Sequence, residues 1–212
     1  MTFVLGLTGS IGMGKSATAN LFRERGIPVH DADLSVHALY AGRAAPLVEA
    51  AFPGTVTGGT VDRVALGAWV VGDAAALQRL EAIVHPLVRE EEARFLAEAA
   101  SAGAPLVVLD VPLLYETGGE GRCDAVAVVT APAPIQRERV LARPGMTPER
   151  FEALLAKQMP DAEKRRRATF LVHTGEGFPR ARADVDAILA ALAGKPSRIL
   201  AGRPATGPDH AA

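Results

Sequence analysis

The chain has 212 residues, which is enough for one well-packed domain with a smaller satellite. Hydrophobic residues make up 49% of it and charged residues 22%, and the formal net charge is -1, so the composition argues against a dedicated nucleic-acid binder. The single cysteine, Cys123, excludes an intrachain disulfide and a cysteine-rich metal site, which is typical of proteins from a reducing compartment.

The apolar run from Phe3 to Leu7 has no basic segment before it, so we expect a strand there and not a signal peptide. No apolar stretch approaches the roughly 18 residues that a membrane span needs. We therefore expect a cytoplasmic protein, a monomer or a weak homo-oligomer, with no membrane and no nucleic acid among its partners.

Hydrophobic periodicity divides the first half of the chain into two short strands and a series of helices. The strands are predicted over residues 3–7 and 27–30. The helices are predicted over residues 15–25, from near Asp33 onward, over 62–71 and 73–84, and from Pro86, at a first-turn position, to about Ala100.

Two apolar runs in the second half, P-L-V-V-L-D at 105–110 and A-V-A-V-V at 125–129, have the length of strands. Continuous apolar strands are typical of parallel sheets that are covered on both faces, so we place both runs in the centre of the sheet. A last strand is predicted over 170–172. Helices are predicted over 133–142, 148–158 and 162–167, and in the segment with Val185, Ile188, Leu189 and Leu192.

Strands that alternate with helices predict an α/β fold with a doubly wound parallel sheet. We expect the core sheet in about residues 1–35 and 104–193. A helical substrate-binding region is expected in about 36–102, because this stretch is too long for a plain crossover. Residues 194–212 are rich in Gly and Pro without periodicity, so we predict a disordered tail there.

Residues 9–16, G-S-I-G-M-G-K-S, match the phosphate-binding pattern G-x-x-x-x-G-K-S between a strand and a helix, which predicts a P-loop NTPase-type sheet. Glycines let backbone amides approach phosphates, and the helix N-terminus adds partial positive charge. We expect Lys15 to bridge the β- and γ-phosphates of ATP and Ser16 to ligate Mg²⁺. The predicted nucleotide-binding residues are Gly9, Ser10, Ile11, Gly12, Met13, Gly14, Lys15, Ser16 and Ala17. The alternative is a Gly-rich turn with an incidental lysine.

The phosphate-binding pattern alone fits GTPases, motor ATPases and small-molecule kinases. The chain lacks an N-K-x-D sequence of the kind that reads guanine, which argues against a GTPase. A nucleoside-monophosphate kinase and a non-catalytic nucleotide-binding module are further alternatives. The presence of Lys15, Ser16 and Asp33 together argues against the non-catalytic module.

Asp31 and Asp33 follow the second predicted strand, so we expect them at the carboxyl edge of the sheet, where ligands bind in such folds. A carboxylate at that edge can orient an attacking hydroxyl or take its proton, and we favour Asp33 as this catalytic residue. The alternative is that Asp33 caps the helix that follows.

Six segments in order along the chain form one recognisable set: G-L-T-G-S-I-G-M-G-K-S at 6–16, D-A-D at 31–33, L-E-A-I-V-H-P-L-V-R at 80–89, V-P-L-L-Y-E at 111–116, an arginine-rich stretch at 136–143 and K-Q-M at 157–159. Together they resemble the dephospho-coenzyme A kinase family, over nearly the whole chain from Gly6 to about Gly177. The resemblance implies ATP-dependent phosphorylation of the 3′-hydroxyl of dephospho-coenzyme A, with Asp33 facing that hydroxyl.

The resemblance also implies which residues contact the acceptor. His85 and Arg89 fall where the helical substrate region of the family meets the sheet. Residues 113–116 would shape the wall of the acceptor pocket, with Leu114 and Glu116 as substrate contacts. A capping or core role is the alternative for His85.

Residues 137–158 resemble the lid of nucleoside-monophosphate-type kinases, which closes over ATP. Arg137, Arg139 and Arg143 are candidates to neutralise the transferring phosphate, and we favour Arg143 as the catalytic one. A solvated helix face is the alternative for the others. Asp110 resembles a Walker-B position, with loop capping as its alternative.

Three positions depart from the family pattern. Thr169 stands where the family has Asp in A-D-F or A-D-Y, and Thr174 stands where it has Asn before Gly. Lys157 stands where Arg is expected before Gln158. Because the segment with the two threonines is expected to contact adenine, these two changes put the predicted adenine selectivity in question.

Overall fold

The computed structural model describes residues 2–200, in which strands and helices alternate. The strands are β1 Phe3–Thr8, β2 Val29–Asp31, β3 Val56–Thr57, β4 Thr60–Val61, β5 Leu106–Asp110, β6 Ala125–Thr130 and β7 Phe170–His173. The helices are α1 Lys15–Arg23, α2 Ala32–Tyr40, α3 Ala45–Ala51, α4 Arg63–Val70, α5 Ala74–Ser101, α6 Ala133–Leu141, α7 Pro148–Leu155, α8 Asp161–Arg167 and α9 Phe178–Leu192. A short 3₁₀ turn spans Gly119–Arg122.

Five strands form one sheet in the order β2-β5-β1-β6-β7. β1 pairs in parallel with β5 and with β6, and β6 pairs in parallel with β7. The interior positions of β5 and β6 confirm the prediction from their continuous apolar sequences. Parallel strands end at the same edge, so Leu7 lies opposite Asp110, and the loop after β1 starts beside the end of β5.

Both faces of the sheet are covered, because alternate residues of the strands are buried on opposite sides. Leu5 and Leu7 of β1 belong to a core cluster that also contains Phe22 of α1 and Val185 of α9. Val4, whose side chain points the other way, is also fully buried. Each fully buried side chain of this kind contributes about 1.5–3 kcal/mol relative to an exposed one. The doubly wound α/β fold predicted from the sequence is confirmed.

The structure divides into two compact units. One runs to Val29 and resumes at Ala99, and the other spans His30–Glu98. The second unit has its own core, to which α5 contributes Ala76, Leu80, Val84 and Leu87 at helical spacing. The domain limits given in the sequence analysis stay predictions.

The long helix α5 corrects one sequence prediction. We expected separate helices before and after Pro86, but α5 is continuous over 28 residues with Pro86 inside it. Proline removes one backbone hydrogen bond, yet the apolar stripe that includes Val84 and Leu87 continues across it and keeps both halves on the same core. No helix in residues 2–200 is both long and apolar enough to cross a membrane.

Two elements of the second unit were not predicted, namely α3 and the antiparallel hairpin of β3 and β4. The hairpin turns at Gly58 and Gly59, whose φ angles of 59° and 79° lie in the left-handed region. Two-residue hairpin loops of the type I′ class need positive φ at both turn residues, which glycine adopts readily. The strands have two residues each, too few to show an alternating pattern.

The predicted tail begins within the described residues and continues beyond them. The backbone amides of Arg198 and Ile199 donate to the Asp124 carboxylate at 2.6 and 3.0 Å. The same carboxylate accepts the Val4 amide at 2.8 Å, so it links residues 198 and 199 to β1. Residues 201–212 of the predicted tail lie outside the described residues.

Candidate active site

The loop between β1 and α1 has the tight backbone that the phosphate-binding pattern requires. Gly12 and Gly14 adopt φ angles of 79° and 93°, which residues with a side chain rarely reach. The Met13 amide closes a turn by donating to the Ser10 carbonyl at 3.1 Å. The predicted nucleotide-binding residues 9–17 thus lie in one loop and the first helical turn after it.

Lys15, the first residue of α1, forms an ion pair with the end of β5. Its Nζ lies 2.7 Å from the Oδ1 of Asp110, which is fully buried. The neighbouring Ser16 is exposed in the first turn of α1. The lysine charge and the serine hydroxyl therefore lie together at the start of the helix, where partial positive charge already favours anions.

A cavity of about 280 Å³ lies beside the loop in the first unit. Its lining is mainly apolar and consists of Gly14, Ala17, Thr18, Leu21, Arg139, Thr174, Gly177, Phe178 and Ala181. Gly14, Ala17, Thr18 and Leu21 place it directly against the loop and the first turns of α1, and a mainly apolar cavity of this kind is typical of small-molecule sites. Gly14 and Ala17 were predicted as nucleotide-binding residues, whereas Phe178 and the orientation of Arg139 were not predicted.

Arg139 is fixed at the edge of this cavity by Thr174. The guanidinium donates to the Thr174 hydroxyl at 2.9 Å and to its carbonyl at 2.7 Å. The same hydroxyl donates to the Met13 carbonyl of the loop at 2.7 Å. Thr169 lies elsewhere, with its backbone and hydroxyl bonded to Val126 of β6. Of the two departures from the family pattern in this segment, Thr174 therefore lines the cavity.

The three candidate arginines of residues 137–158 have different surroundings. Arg137 pairs with Glu152 at 2.6 Å and lies 5.8 Å from the centre of the Phe151 ring. Arg139 is held by Thr174, as described above. Arg143 is exposed, and within residues 2–200 its side chain has no hydrogen bond or ion pair. Arg143 is thus the candidate whose charge is not already engaged.

In the second unit, the helix cap at the start of α2 is Asp31. Its carboxylate accepts the backbone amides of Asp33 and Leu34 at 3.0 and 3.1 Å. The alternative that Asp33 is the capping residue is therefore wrong. Asp33 lies in the first turn of α2, with its side chain available for another role.

Asp33 lines a cavity of about 560 Å³ in the second unit. The other lining residues are Val36, Tyr40, Arg63, Leu66, Gly67, Val70 and Leu80. Arg63 lies 5.6 Å from the centre of the Tyr40 ring, and its guanidinium is 3.4 Å from the His37 Nδ1. Burial raises the pKa of Tyr40, and the nearby Arg63 charge opposes that rise. The cavity combines one carboxylate and one guanidinium with apolar walls, and neither Tyr40 nor Arg63 was predicted as a site residue.

His85 and Arg89, the predicted acceptor contacts, lie one turn apart on an exposed side of α5. His85 is neither buried nor at a helix end, so its two alternative roles in the core or as a cap are wrong. Neither residue is among those that line the Asp33 cavity. Their contact with substrate stays a prediction.

Leu114 and Glu116, the other predicted acceptor contacts, have protein partners. Leu114 is fully buried. The Glu116 Oε1 lies 2.7 Å from the Nζ of Lys164, which is fully buried, and accepts the Met159 amide at 2.8 Å. Burial alone would raise the pKa of Glu116, but the hydrogen bonds from Lys164 and Met159 lower it below its usual value overall. The roles of Leu114 and Glu116 as substrate contacts stay predictions.

Within the described part of the chain, no cluster of three His, Cys, Asp or Glu side chains could hold a metal ion. Mg²⁺ in phosphate-transfer enzymes does not require such a cluster, because it takes most of its oxygen ligands from phosphates and water. The exposed hydroxyl of Ser16 is an oxygen of the kind that Mg²⁺ prefers.

Comparison with known proteins gives consistent matches over most of the chain. A family model described as Dephospho-CoA kinase matches residues 3–178. A protein named Dephospho-CoA kinase from Mesorhizobium japonicum is 66% identical, with 91% of this chain and 98% of that protein covered. One of the same name from Rhodopseudomonas palustris is 61% identical, with 92% and 98% covered.

Solved structures show the same architecture. A crystal structure from Thermus thermophilus superposes with a TM-score of 0.78 at 40% identity and covers 91% of this chain and 99% of that one. The dephospho-CoA kinase of Campylobacter jejuni superposes with a TM-score of 0.62 and covers 90% and 97%, respectively. Its identity of 20% supports the fold alone.

Proposed function

This chain belongs to the dephospho-CoA kinase family, and we propose that its phosphate-binding loop and Asp33 transfer the γ-phosphate of ATP to the 3′-hydroxyl of dephospho-coenzyme A. The products are coenzyme A and ADP, in the last step of coenzyme A biosynthesis. The observation that carries the assignment of roles is that the carboxylates of Asp31 and Asp33 have different surroundings. Asp31 caps α2 by accepting backbone amides, whereas Asp33 lines a cavity.

The loop of residues 9–14 and Lys15 bind the phosphates of ATP. Backbone amides of the loop and the first turn of α1 supply the donors, and Lys15 neutralises charge on the β- and γ-phosphates. The apolar cavity beside Ala17 takes the nucleoside end, with the Arg139 guanidinium at its edge. Ser16 would hold Mg²⁺, which would neutralise charge on the β- and γ-phosphate oxygens.

Asp33 acts on the acceptor. It orients the 3′-hydroxyl and receives its proton as the new oxygen–phosphorus bond forms and the bond between the β- and γ-phosphates breaks. Arg63, in the same cavity, binds the negatively charged phosphates of the acceptor. A cavity of about 560 Å³ has the volume of a small-molecule site and accommodates part of this substrate.

Arg143 stabilises the transferring phosphate. Its guanidinium is exposed and has no protein partner within residues 2–200, so no existing bond has to break before it binds the phosphate. Arg137 and Arg139 are engaged by Glu152 and Thr174. A planar guanidinium matches the geometry of phosphate oxygens.

The enzyme is further proposed to work in the cytoplasm, as a monomer or a weak homo-oligomer, without a membrane or nucleic-acid partner. The support is the composition, with its single cysteine and its net charge of -1.

An acceptor panel tests the proposed reaction. The purified enzyme is given ATP and Mg²⁺ with dephospho-coenzyme A, AMP, CMP or shikimate, and products are identified by mass. We expect a gain of one phosphate on dephospho-coenzyme A and no comparable product with the other acceptors. Transfer to a monophosphate alone would keep the donor site but overturn the acceptor assignment.

A further inference from the structure

The peptide groups on either side of Ile11, in the phosphate-binding loop, are held by two glutamine side chains. The Ile11 amide donates to the Oε1 of Gln158 at 3.0 Å. The Ile11 carbonyl accepts from the Nε2 of Gln136 at 2.8 Å. The polarity of the backbone groups fixes the orientation of each side-chain amide, because an N–H requires an oxygen and a carbonyl requires an NH₂ group. We call this arrangement the glutamine clamp.

The two glutamines stand at the two ends of one chain segment. Gln136 lies in α6 and is 5% exposed, and Gln158 lies three residues after the end of α7. Between them runs the α6–α7 segment, residues 137–157, which carries the candidate arginines. Both ends of this segment are therefore attached to the same residue of the loop.

The two helices of the α6–α7 segment are linked to each other by side-chain contacts. Arg137 of α6 pairs with Glu152 of α7 at 2.6 Å and packs over the ring of Phe151, which is buried. These contacts link the helices independently of the loop. A restraint at the two ends of the segment is therefore transmitted to the segment as a whole.

Each side of the clamp has further support. On the α6 side, a Cβ atom at Gly12 would lie 3.0 Å from the Gln136 carbonyl oxygen, so the loop packs directly on the helix. On the other side, the Met159 amide, next to Gln158, donates to Glu116 at 2.8 Å. Glu116 is in turn paired with the buried Lys164. Gln136 and Gln158 are thus each supported by a contact beyond their hydrogen bonds to Ile11.

We propose that Gln136 and Gln158 are positioning residues for phosphoryl transfer. They hold the Ile11 backbone in the conformation that binds the nucleotide phosphates and keep the α6–α7 segment, with Arg143, in a fixed relation to that loop. The inference rests on the proposed function for the identity of the nucleotide. It does not depend on the acceptor, since it concerns the donor site alone.

Substitution with methionine removes the hydrogen bonds while keeping nearly the same side-chain volume. Gln136→Met and Gln158→Met are each expected to weaken ATP binding about tenfold, because one backbone group loses its partner. The KM for the acceptor should stay within about twofold of the wild-type value. A purely structural role would instead lower the melting temperature and leave ATP affinity and kcat unchanged.

Substitution with glutamate distinguishes the donor role of Gln136 from the acceptor role of Gln158, because a carboxylate accepts hydrogen bonds and donates none. At position 158 the Ile11 amide keeps an acceptor, whereas at position 136 the Ile11 carbonyl loses its donor and faces a negative charge. Both substitutions add the same charge near the loop, so the repulsion of ATP by that charge is common to both positions. The expected ratio of ATP affinity, that of the Glu variant divided by that of the Met variant, is therefore higher at position 158 than at position 136.

The experiment is a titration of the full-length wild-type protein and the four variants with ATP and Mg²⁺ in the absence of acceptor, with melting temperatures measured in parallel. A higher ratio at position 158 than at position 136 supports the clamp. Equal ratios at the two positions, or methionine variants that bind ATP as tightly as wild type, would overturn it. If Gln136→Glu does not fold, the ATP affinities of the two methionine variants relative to wild type decide. A wrong acceptor assignment would leave this ranking unchanged.

Discussion

The Nζ of Lys15 lies 2.7 Å from the Oδ1 of Asp110, so the lysine of the phosphate-binding loop is held by the buried end of the neighbouring strand. The pair follows from the register of the sheet, in which β1 leads into the loop and lies beside β5. Asp110 thereby fixes the position of the Lys15 charge, which we propose to bind the nucleotide phosphates.

Replacing Lys15 with alanine should reduce kcat/KM by about a hundredfold to a thousandfold, because charge stabilisation in the transition state is lost. Steady-state kinetics with ATP and dephospho-coenzyme A measure the change. The matched control is Arg23→Ala, which removes an exposed cation from the other end of α1. Comparable losses in both variants would contradict a specific role for Lys15.

The two aspartates of the D-A-D sequence should separate into a catalytic residue and a structural one. Asp33→Asn is expected to lower kcat by at least about a hundredfold while ATP affinity stays unchanged, because the acceptor hydroxyl loses its base. Asp31→Ala should lower the free energy of unfolding by about 1 kcal/mol, because two backbone amides lose their cap. Kinetics and denaturant titration of both variants check this division, and a loss of ATP affinity alone in Asp33→Asn would refute it.

Arg63 should determine affinity for the acceptor and not for ATP. Arg63→Ala is expected to raise the KM for dephospho-coenzyme A about tenfold, since a charge-assisted hydrogen bond to phosphate is lost. Arg79→Ala is the control in the same unit, because Arg79 packs on the Phe52 ring and does not line the Asp33 cavity. An unchanged acceptor KM in Arg63→Ala, or an equal rise in Arg79→Ala, would show that this cavity does not bind the acceptor phosphates.

Stability should decrease in acid through Glu116. Its folded pKa is lowered, so its contribution to stability is complete above the unfolded value of about 4.3 and is lost as the pH falls through the folded value. The double variant Glu116→Gln with Lys164→Met keeps an acceptor for the Met159 amide and removes both charges. Between about pH 6 and pH 3, its free energy of unfolding should fall less steeply than that of wild type. Parallel curves from denaturant titrations would contradict this origin of acid sensitivity.

The sheet and the phosphate-binding loop could be predicted because their signals are local. The continuous apolar sequences of β5 and β6 mark buried parallel strands, and the glycines before Lys15 mark a loop of fixed geometry. The interruption predicted at Pro86 was wrong because packing of α5 on its core outweighs one missing backbone hydrogen bond.

The partners in the candidate site could not be predicted, because they are distant in sequence. Glu116 and Lys164 are separated by 48 positions, and nothing in V-P-L-L-Y-E indicates that its glutamate pairs with a buried lysine. Gln158 lies 147 positions from Ile11. The role of Asp31 as the cap was within reach, since its carboxylate precedes the first turn of α2, but spacing alone did not separate it from Asp33.

The most direct test of the central claim is to determine which hydroxyl of dephospho-coenzyme A receives the phosphate. The product of the reaction with ATP and Mg²⁺ is analysed by ³¹P NMR and fragmentation mass spectrometry, with Asp33→Asn run in parallel. The account predicts a 3′-phosphate on the ribose, identical to that of coenzyme A, and a rate of formation that collapses in the variant. A phosphate at another position, or ATP consumption without a phosphorylated acceptor, would contradict it.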